Sequence, residues 1–240
     1  MDRWIFRQMK IVTFASFKGG AGKSTSVMAV TSSLISKGKK IALFDADENE
    51  PLIDWVKSAR ANNTWSDDCQ VFSTDDLGSL EEAYENAEKQ GFDLAIIDTR
   101  GGGSELNNTC LTSANLIAIP SALTTLDMTS ALSTFEHAVM LLQKTALDIP
   151  VALLIQRAPI GMLTTSQQQD LEKLSTLPMF ETHLHARDAF AALGKRGMLH
   201  LTYKAFSKDA MKRLSASHIA TAMKEADLLA NDIVEALGGI

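Results

Sequence analysis

The chain has 240 residues, a net charge of −6 and an isoelectric point of about 5.4. Its composition, 45% hydrophobic and 22% charged residues, is typical of a soluble globular protein with a sizeable core, and its overall charge argues against a generic nucleic-acid coat. Two cysteines far apart, Cys69 and Cys110, indicate no disulfide framework and predict a reducing, cytoplasmic location. No apolar run approaches the roughly 18 residues of a membrane span, so no integral membrane segment is expected.

Short apolar runs alternate with helical stretches along the chain. Continuous apolar strands that alternate with helices predict an α/β fold, a mostly parallel twisted sheet flanked by helices. We expect one domain over residues 1–240, with residues 1–8 as an N-terminal extension and irregular structure with short helices over Ala158–Tyr203. The predicted strands are Ile11–Phe17, Lys40–Phe44, Cys69–Ser73, Phe92–Asp98, Asn115–Pro120 and Val151–Gln156, and the predicted helices are Ser24–Lys37, Leu77–Gln90, Leu126–Thr145 and most of Lys208–Leu237.

A glycine-rich run separates the first predicted strand from the first predicted helix. Its standard phosphate-loop pattern fails at Phe17, where the first glycine is expected. Glycines nevertheless let backbone N–H groups turn toward phosphate oxygens, and the helix N-terminus adds a positive dipole. Lys23 is expected to reach the β- and γ-phosphates, and Ser24 to ligate Mg²⁺. The alternative, a glycine-rich turn with incidental lysines, is disfavoured by this strand–loop–helix context. The residues predicted to bind the nucleotide are Lys18, Gly19, Gly20, Ala21, Gly22, Lys23, Ser24 and Thr25.

The lysine that precedes GGxGK[ST] resembles the deviant Walker A loop of the ParA/MinD superfamily. The resemblance implies an α/β P-loop ATPase that uses ATP and Mg²⁺ and forms a homodimer when ATP binds. It also implies that Lys18 reaches across the dimer interface to the partner's nucleotide, while Lys23 keeps the ordinary phosphate-binding role. Both lysines are therefore candidate catalytic residues.

Two further features match this superfamily in the expected order. The second predicted strand ends in Asp45-Ala46-Asp47, and the run Ile96–Thr99 looks like a Walker B strand that contains Asp98. By resemblance, Ser24, Asp45 and Asp98 hold or support Mg²⁺, and Asp47 orients or activates the attacking water. The alternative is that carboxylates at strand ends are turn formers.

The chain also departs from the superfamily pattern after both carboxylate motifs. Many members follow the first motif with Pro-Gln, where this chain has Glu48-Asn49-Glu50-Pro51. Many follow the Walker B strand with Pro-x-Gly, where this chain has Arg100-Gly101-Gly102. The glycines Gly101–Gly103 occupy the position that senses the γ-phosphate in the superfamily.

Several other stretches resemble one branch, the VirC-type ATPases of T-DNA transfer. The resemblance implies DNA binding near a transfer origin and a role in conjugative relaxosome assembly or plasmid partition, together with a small DNA-binding or ParB-like partner. The predicted location is cytoplasmic, with the nucleoid or a cell pole as a site of association. The matching stretches are Leu43–Asn49, Ser104–Thr109, Leu163–Gln167, Arg187–Ala192 and Arg196–Thr202.

A basic segment lies in the last quarter of the chain. Between His183 and Arg213 there are seven basic residues and two acidic ones, a net of +5 in a chain whose total is −6. Such a segment predicts phosphate contacts with duplex DNA, with weak direct reading of sequence. The alternative is a solvated helical face. The candidate DNA-binding residues are Arg187, Lys195, Arg196, Lys204 and Lys208.

Other functional classes fit the sequence less well. A MinD-like membrane-positioning ATPase ends in a basic amphipathic anchor, whereas Glu225–Ile240 contains four acidic residues and no Lys or Arg. An iron–sulfur ATPase of the nitrogenase-reductase kind needs a second cysteine after Cys110. The histidines His183, His185 and His200 suggest a metal, but no cysteine or acidic cluster completes a site. A metabolic P-loop enzyme would need a substrate pocket that no motif marks.

Overall fold

The computed structural model describes residues 9–240, so the predicted extension over residues 1–8 lies outside the described part. Six strands form one sheet in the order β3-β2-β4-β1-β5-β6, and every neighbouring pair is parallel. The strands are β1 (Lys10–Phe14), β2 (Ile41–Ala46), β3 (Cys69–Ser73), β4 (Leu94–Thr99), β5 (Leu116–Ser121) and β6 (Val151–Ile155). The helices are α1 (Lys23–Ser36), α2 (Pro51–Ala61), α3 (Leu77–Lys89), α4 (Glu105–Thr112), α5 (Thr125–Thr145), α6 (Thr165–Leu174), α7 (Asp188–Ala191), α8 (Leu193–Arg196), α9 (Leu199–Ser207) and α10 (Arg213–Ala236).

Helices cover both faces of the sheet, which explains why the strands are apolar without alternation. In β4, Leu94 and Ile96 join a core shared with α1, α2 and α10. The alternate residues Ala95 and Ile97 join a core on the opposite face, shared with α3 and α4. Because side chains alternate across a strand, burial of both sets requires a cover on each face. The α/β prediction is confirmed, and the sheet is wholly parallel within residues 9–240.

Several predicted boundaries were wrong. Strand β1 ends at Phe14 rather than Phe17, because the chain already turns there and the backbone N–H of Lys18 bonds Ser16 Oγ at 3.2 Å. Helices α2 and α4 were not predicted at all. Helix α2 has Pro51 in its first turn, and Ser104 caps α4 by accepting the N–H of Asn107 at 3.0 Å. The segment Ala158–Tyr203, predicted to be irregular with short helices, does contain short helices, α6 to α9, joined by irregular chain.

The last helix belongs to the core. Helix α10 packs against α1 and α9, and it buries Ile219, Leu229 and Ile233 among its apolar residues. Its apolar face is therefore already occupied by the fold. No helix in the described range combines the length and apolarity that a bilayer crossing requires.

The sheet order places its central crevice at β1. The connection from β1 leads to β2 on one side, whereas the connection from β4 leads to β5 on the other side, so the direction of the connections reverses beside β1. In open α/β sheets, ligands bind at the carboxyl ends of the strands at such a switch point. The glycine-rich run after β1 and the carboxylates that end β2 and β4 all lie at that edge.

Candidate nucleotide site

The glycine-rich run forms a tight loop that leads into α1. Gly22 is the N-cap residue of this helix and has a φ of 98°. A Cβ at this position would lie 3.1 Å from Cδ of Gln156, so a side chain would meet both backbone strain and a close neighbour. Because the cap residue has no side chain, the first N–H groups of α1 stay available to an anion, which is the arrangement of a phosphate-binding helix N-terminus.

Lys23 begins α1 and is only 5% exposed. It lines a cleft of about 540 Å³, together with Ser24, Thr25 and Asp47. A larger groove of about 740 Å³ lies on the far side of the sheet beside Leu80 and Ile97, and no glycine is among the described residues that line it. The glycine loop and the start of α1 in the walls of the smaller cleft make it the candidate nucleotide site.

Asp98 carries one of the buried carboxylates at this edge of the sheet. It is fully buried at the end of β4, and both of its oxygens lack a partner within residues 9–240. Burial raises the pKa of Asp98 to about 7, a rise opposed by the nearby Ser24 hydroxyl and Lys23 ammonium. A buried carboxylate beside a hydroxyl fits the support of a hydrated Mg²⁺ ion, which takes oxygen ligands.

The two carboxylate oxygens of Asp45 lie in different environments. Oδ2 accepts the backbone N–H groups of Leu52 at 2.8 Å and Ile53 at 3.2 Å, so it caps α2. Oδ1 is buried without a partner in the described part of the chain, and burial raises the pKa of Asp45 to about 6. Only Oδ1 is thus left for the water shell of a metal. The described residues contain no group of three His, Cys, Asp or Glu side chains arranged as a complete metal site, so Ser24 and nucleotide oxygens would have to supply the direct ligands.

Asp47 lies in the turn that follows β2 and lines the cleft. Its Oδ1 accepts the backbone N–H of Asn49 at 2.9 Å and the side-chain N–H of Asn49 at 2.8 Å. Its carbonyl accepts the N–H of Glu50 at 2.9 Å, and Glu50 has a φ of 46°. The carboxylate therefore shapes its own turn with Oδ1, as the turn-former alternative expects, while it also lines the cleft.

Lys18 is folded back onto its own chain. Its Nζ lies 2.7 Å from Oδ1 of Asp127, which is 7% exposed near the start of α5. Oδ2 of the same carboxylate accepts the Thr124 hydroxyl at 2.7 Å and lies 3.5 Å from a guanidinium nitrogen of Arg157. Burial works to raise the pKa of Asp127, but these donors outweigh it and hold the pKa below its ordinary value.

Sequence reasoning missed three of the residues around the loop. Asp127 is the third residue of α5, after the capping residue Thr124, and this capping pattern was the only local signal for it. Gln156 and Arg157 follow β6 and line the cleft, and the side chain of Gln156 contacts the Ser26 hydroxyl and the Gly22 carbonyl. Their position at a strand's carboxyl end was the available signal.

The five DNA-binding candidates fall into two groups. Arg187 lines the nucleotide cleft, and its guanidinium donates to Oε1 of Glu225 at 2.7 and 2.5 Å. Arg196 pairs with Asp188 at 2.9 Å. Both arginines are therefore held in ion pairs within the fold. The exposed members, whose side chains form no ion pair within the described range, are Lys195, Lys204 and Lys208.

The three histidines do not form a cluster. The chain around His183 and His185 is not a strand, and His185 makes only an isolated bridge with Ala158. His185 Nδ1 lies 3.0 Å from Glu225, whereas His200 lies on α9. Among the described residues, these histidines do not belong to any group of three side chains that could hold a metal ion.

Comparison with known proteins agrees with this geometry. The family model described as VirC1 protein matches residues 9–239. The chain belongs to this family. Protein virC1 of Rhizobium radiobacter is 50% identical over 217 residues, which cover 90% of this chain and 94% of that protein. Protein ParA of Rhizobium radiobacter is 24% identical over 193 residues, which cover 79% of this chain and 84% of that protein.

A solved structure shares the fold of this VirC1-family chain. A single-residue variant of Cyanothece McdA in complex with ATP superimposes with a TM-score of 0.69 at 15% identity, and the match covers 97% of this chain and 98% of that one. The resemblance to the ParA/MinD superfamily and its VirC branch is thereby confirmed, and so is the P-loop fold class.

Proposed function

We propose that this protein is a Mg²⁺-dependent ATPase of the ParA type that acts in T-DNA or plasmid processing. The observation that carries the proposal is the buried Lys23 at an uncapped helix N-terminus, beside the buried carboxylate of Asp98, which has no partner within residues 9–240. A lysine and a row of backbone N–H groups suit phosphate oxygens, and a carboxylate with a neighbouring hydroxyl suits Mg²⁺. The two carboxylate oxygens of Asp98 would otherwise stay buried with no hydrogen bond from residues 9–240, which is costly.

Each residue of the site has a chemical role in this proposal. The loop from Lys18 to Thr25 binds the phosphates through its backbone, and Lys23 neutralises the β- and γ-oxygens. Ser24 would hold Mg²⁺ directly, with Asp98 and the free oxygen of Asp45 behind its water ligands; the ion supplies charge neutralisation on the phosphates. Asp47 orients the attacking water, a role supported by its position in the cleft wall.

Dimerisation on ATP is the second part of the proposal. Lys18 directly precedes Gly19, which lines the cleft; the lysine side chain is 39% exposed, and its only ion-pair partner within the described range is Asp127. Release from that carboxylate would let the lysine reach a second protomer's nucleotide. Hydrolysis of ATP would then release the γ-phosphate, and the dimer would reset to monomers.

Duplex DNA is the proposed macromolecular partner of the ATP dimer. The three exposed lysines, Lys195, Lys204 and Lys208, support this because phosphate contacts need accessible cations. Arg187 and Arg196 would contribute only if their ion pairs opened. A small DNA-binding or ParB-like protein would provide sequence recognition, and the complex would work in the cytoplasm at the nucleoid or a cell pole.

The MinD-like alternative lacks a specific observation in its favour. A membrane anchor needs an amphipathic helix whose apolar face is free. The apolar face of α10 is buried against α1 in this chain, and its acidic residues Asp227 and Glu225 bond to Ser33 and Arg187.

The test is DNA binding by the purified protein in four states: without nucleotide, with ADP, with ATP and with a slowly hydrolysed ATP analogue. The proposal expects tight binding only with ATP and the analogue, and release as ATP is consumed. Equal DNA affinity in all four states would contradict the nucleotide switch. Binding of anionic vesicles, rather than DNA, in the ATP state would favour the membrane alternative.

A further inference from the structure

Two loops beside the cleft are joined by an ion pair that the proposed roles do not explain. A carboxylate oxygen of Glu48 accepts a hydrogen bond from the guanidinium of Arg100. Glu48 follows Asp47 in the turn after β2, and Arg100 follows β4 directly. Strands β2 and β4 are neighbours whose last paired residues are Ala46 and Thr99, so the two loops start side by side.

Both partners stand where this chain departs from the ParA/MinD pattern. Glu48 opens the stretch that replaces Pro-Gln after the first carboxylate motif, and Arg100 replaces the proline after the Walker B strand. The two residues that differ from the superfamily pattern, Glu48 and Arg100, therefore contact each other in the folded protein. The proposed site gives neither residue a role in binding phosphate, metal or the attacking water.

The loop of Arg100 is pressed against the phosphate loop. A Cβ at Gly101 would lie 3.2 Å from the backbone N of Gly19, so the two loops touch through their backbones. The side-chain N–H groups of Asn107 donate to the carbonyls of Arg100 at 3.1 Å and Gly102 at 2.6 Å. Binding of a phosphate at Gly19 would therefore act directly on the loop that contains Arg100 and Gly101, because the two backbones are in contact.

The turn of Asp47 has few other ties to that loop. Its internal bonds join Asp47 to Asn49 and Glu50, and Ser73 holds the Glu50 carboxylate at 3.0 Å on the side of β3. Within residues 9–240, the Glu48–Arg100 pair is the only side-chain hydrogen bond between the two loops. This pair is consequently the direct side-chain contact through which the loop after β4 can restrain the position of the loop after β2.

We propose that the Glu48–Arg100 pair couples the γ-phosphate-sensing glycine loop to Asp47, and so positions that carboxylate for hydrolysis. This inference rests on the proposed ATPase function. Arg100 is 36% exposed and Glu48 is 76% exposed, so the pair adds little to folding stability. Both are positioning residues, because their effect reaches the reaction only through Asp47.

The first test is a charge-reversal cycle on ATP turnover, with Arg100→Glu, Glu48→Arg and the double variant. Each single variant is expected to lower kcat by about 3- to 5-fold, with ATP affinity and KM unchanged, and the double variant should recover. Arg60→Glu is the matched control, because Arg60 forms another exposed pair, with Asp67 at 3.8 Å, away from these loops. A double variant no faster than the singles would overturn the coupling. So would a loss of ATP affinity in Arg100→Glu, because the arginine would then contact the nucleotide itself.

The second test does not depend on turnover. Hydrogen exchange of residues 46–52 and 99–104 is compared with and without a slowly hydrolysed ATP analogue. The wild-type protein should gain protection in both segments, whereas Arg100→Ala should keep it in residues 99–104 and lose it in residues 46–52. Equal protection of residues 46–52 in both proteins overturns the inference. A wild-type protein that shows coupled protection but no ATP turnover would contradict the ATPase proposal and leave the coupling standing.

Discussion

Lys18 and Asp127 lie 109 residues apart in sequence, yet their charged groups meet at 2.7 Å beside the phosphate loop. The lysine that the superfamily pattern assigns to a partner's nucleotide is therefore held by its own chain. Because it cannot occupy both positions, the ion pair must open before the lysine can act across an interface.

We expect Asp127→Asn to favour the ATP dimer. The asparagine can keep the hydrogen bond to Thr124, but it loses the charge that retains Lys18. The dimer dissociation constant with an ATP analogue should fall about tenfold, the equivalent of one charge-assisted hydrogen bond. Light scattering across a protein dilution series measures it, with the exposed Asp148→Asn as control. Unchanged or weaker dimerisation would show that Asp127 does not restrain Lys18.

Lys18→Ala gives the complementary result in the same experiment. The variant should bind ATP, because Lys23 and the loop backbone remain, but it should stay monomeric with ATP. A Lys18→Ala protein that dimerises like the wild type would rule out the role across the interface.

Asp47→Ala should separate ATP binding from hydrolysis. Loss of the carboxylate that orients water is expected to lower turnover by ~10²-fold or more, while nucleotide affinity stays near that of the wild type. The protein should consequently accumulate as the ATP dimer. Single-turnover kinetics measure the rate, and Asp54→Ala, an exposed acid on α2, is the control. Unchanged turnover would leave Asp47 as a turn former only.

The strand ends were the part of the site that sequence could predict. Asp45, Asp47 and Asp98 lie at the ends of parallel strands, and parallel strands bring their carboxyl ends to one edge, so their proximity followed from the fold class. Asp127 could not be found in this way, because its contact with Lys18 depends on how α5 packs. Helix α4 was missed because its eight residues are mostly Asn, Thr and Leu without a long apolar period.

Counting charges in the sequence located a basic segment, but it did not show which of the basic side chains are accessible and which are held in ion pairs. Arg187 and Arg196 contribute to the net charge of that segment as much as the lysines do. Their partners Glu225 and Asp188 come from α10 and α7, and only the folded structure brings Glu225 to Arg187. Net charge is a property of composition, whereas accessibility is a property of packing.

The double variant Lys204→Ala/Lys208→Ala should weaken DNA binding regardless of sequence. If both lysines contact phosphates, the slope of log affinity against log salt should flatten by up to about one unit for each contact. ATP binding and dimerisation should persist, because both side chains lie outside the nucleotide cleft. Wild-type affinity and salt slope in this variant would remove these lysines from the DNA surface.

His200 gives the fold a predictable pH dependence. Burial lowers the pKa of His200, an effect partly offset by Ser32 and Asp227. The unfolded chain therefore binds the proton more readily, and this contribution to stability is present above pH ~6.5 and is lost as pH falls through the lower, folded pKa. His200→Gln should reduce the loss relative to the wild type, measured by denaturation between about pH 5 and about pH 8. The exposed His218→Gln is the control, and identical pH profiles for all three proteins would contradict the assignment.

The central claim is that the run from Lys18 to Thr25 binds the phosphates of ATP, and a calorimetric titration of Lys23→Ala with Mg-ATP tests it most directly. The wild-type protein and Lys57→Ala, which changes an exposed lysine on α2, should bind ATP with the same affinity. Lys23→Ala should remain folded and show no tight binding, because it lacks the buried ammonium at the start of α1. Equal ATP affinity in all three proteins would contradict the phosphate-loop assignment and, with it, the proposed function.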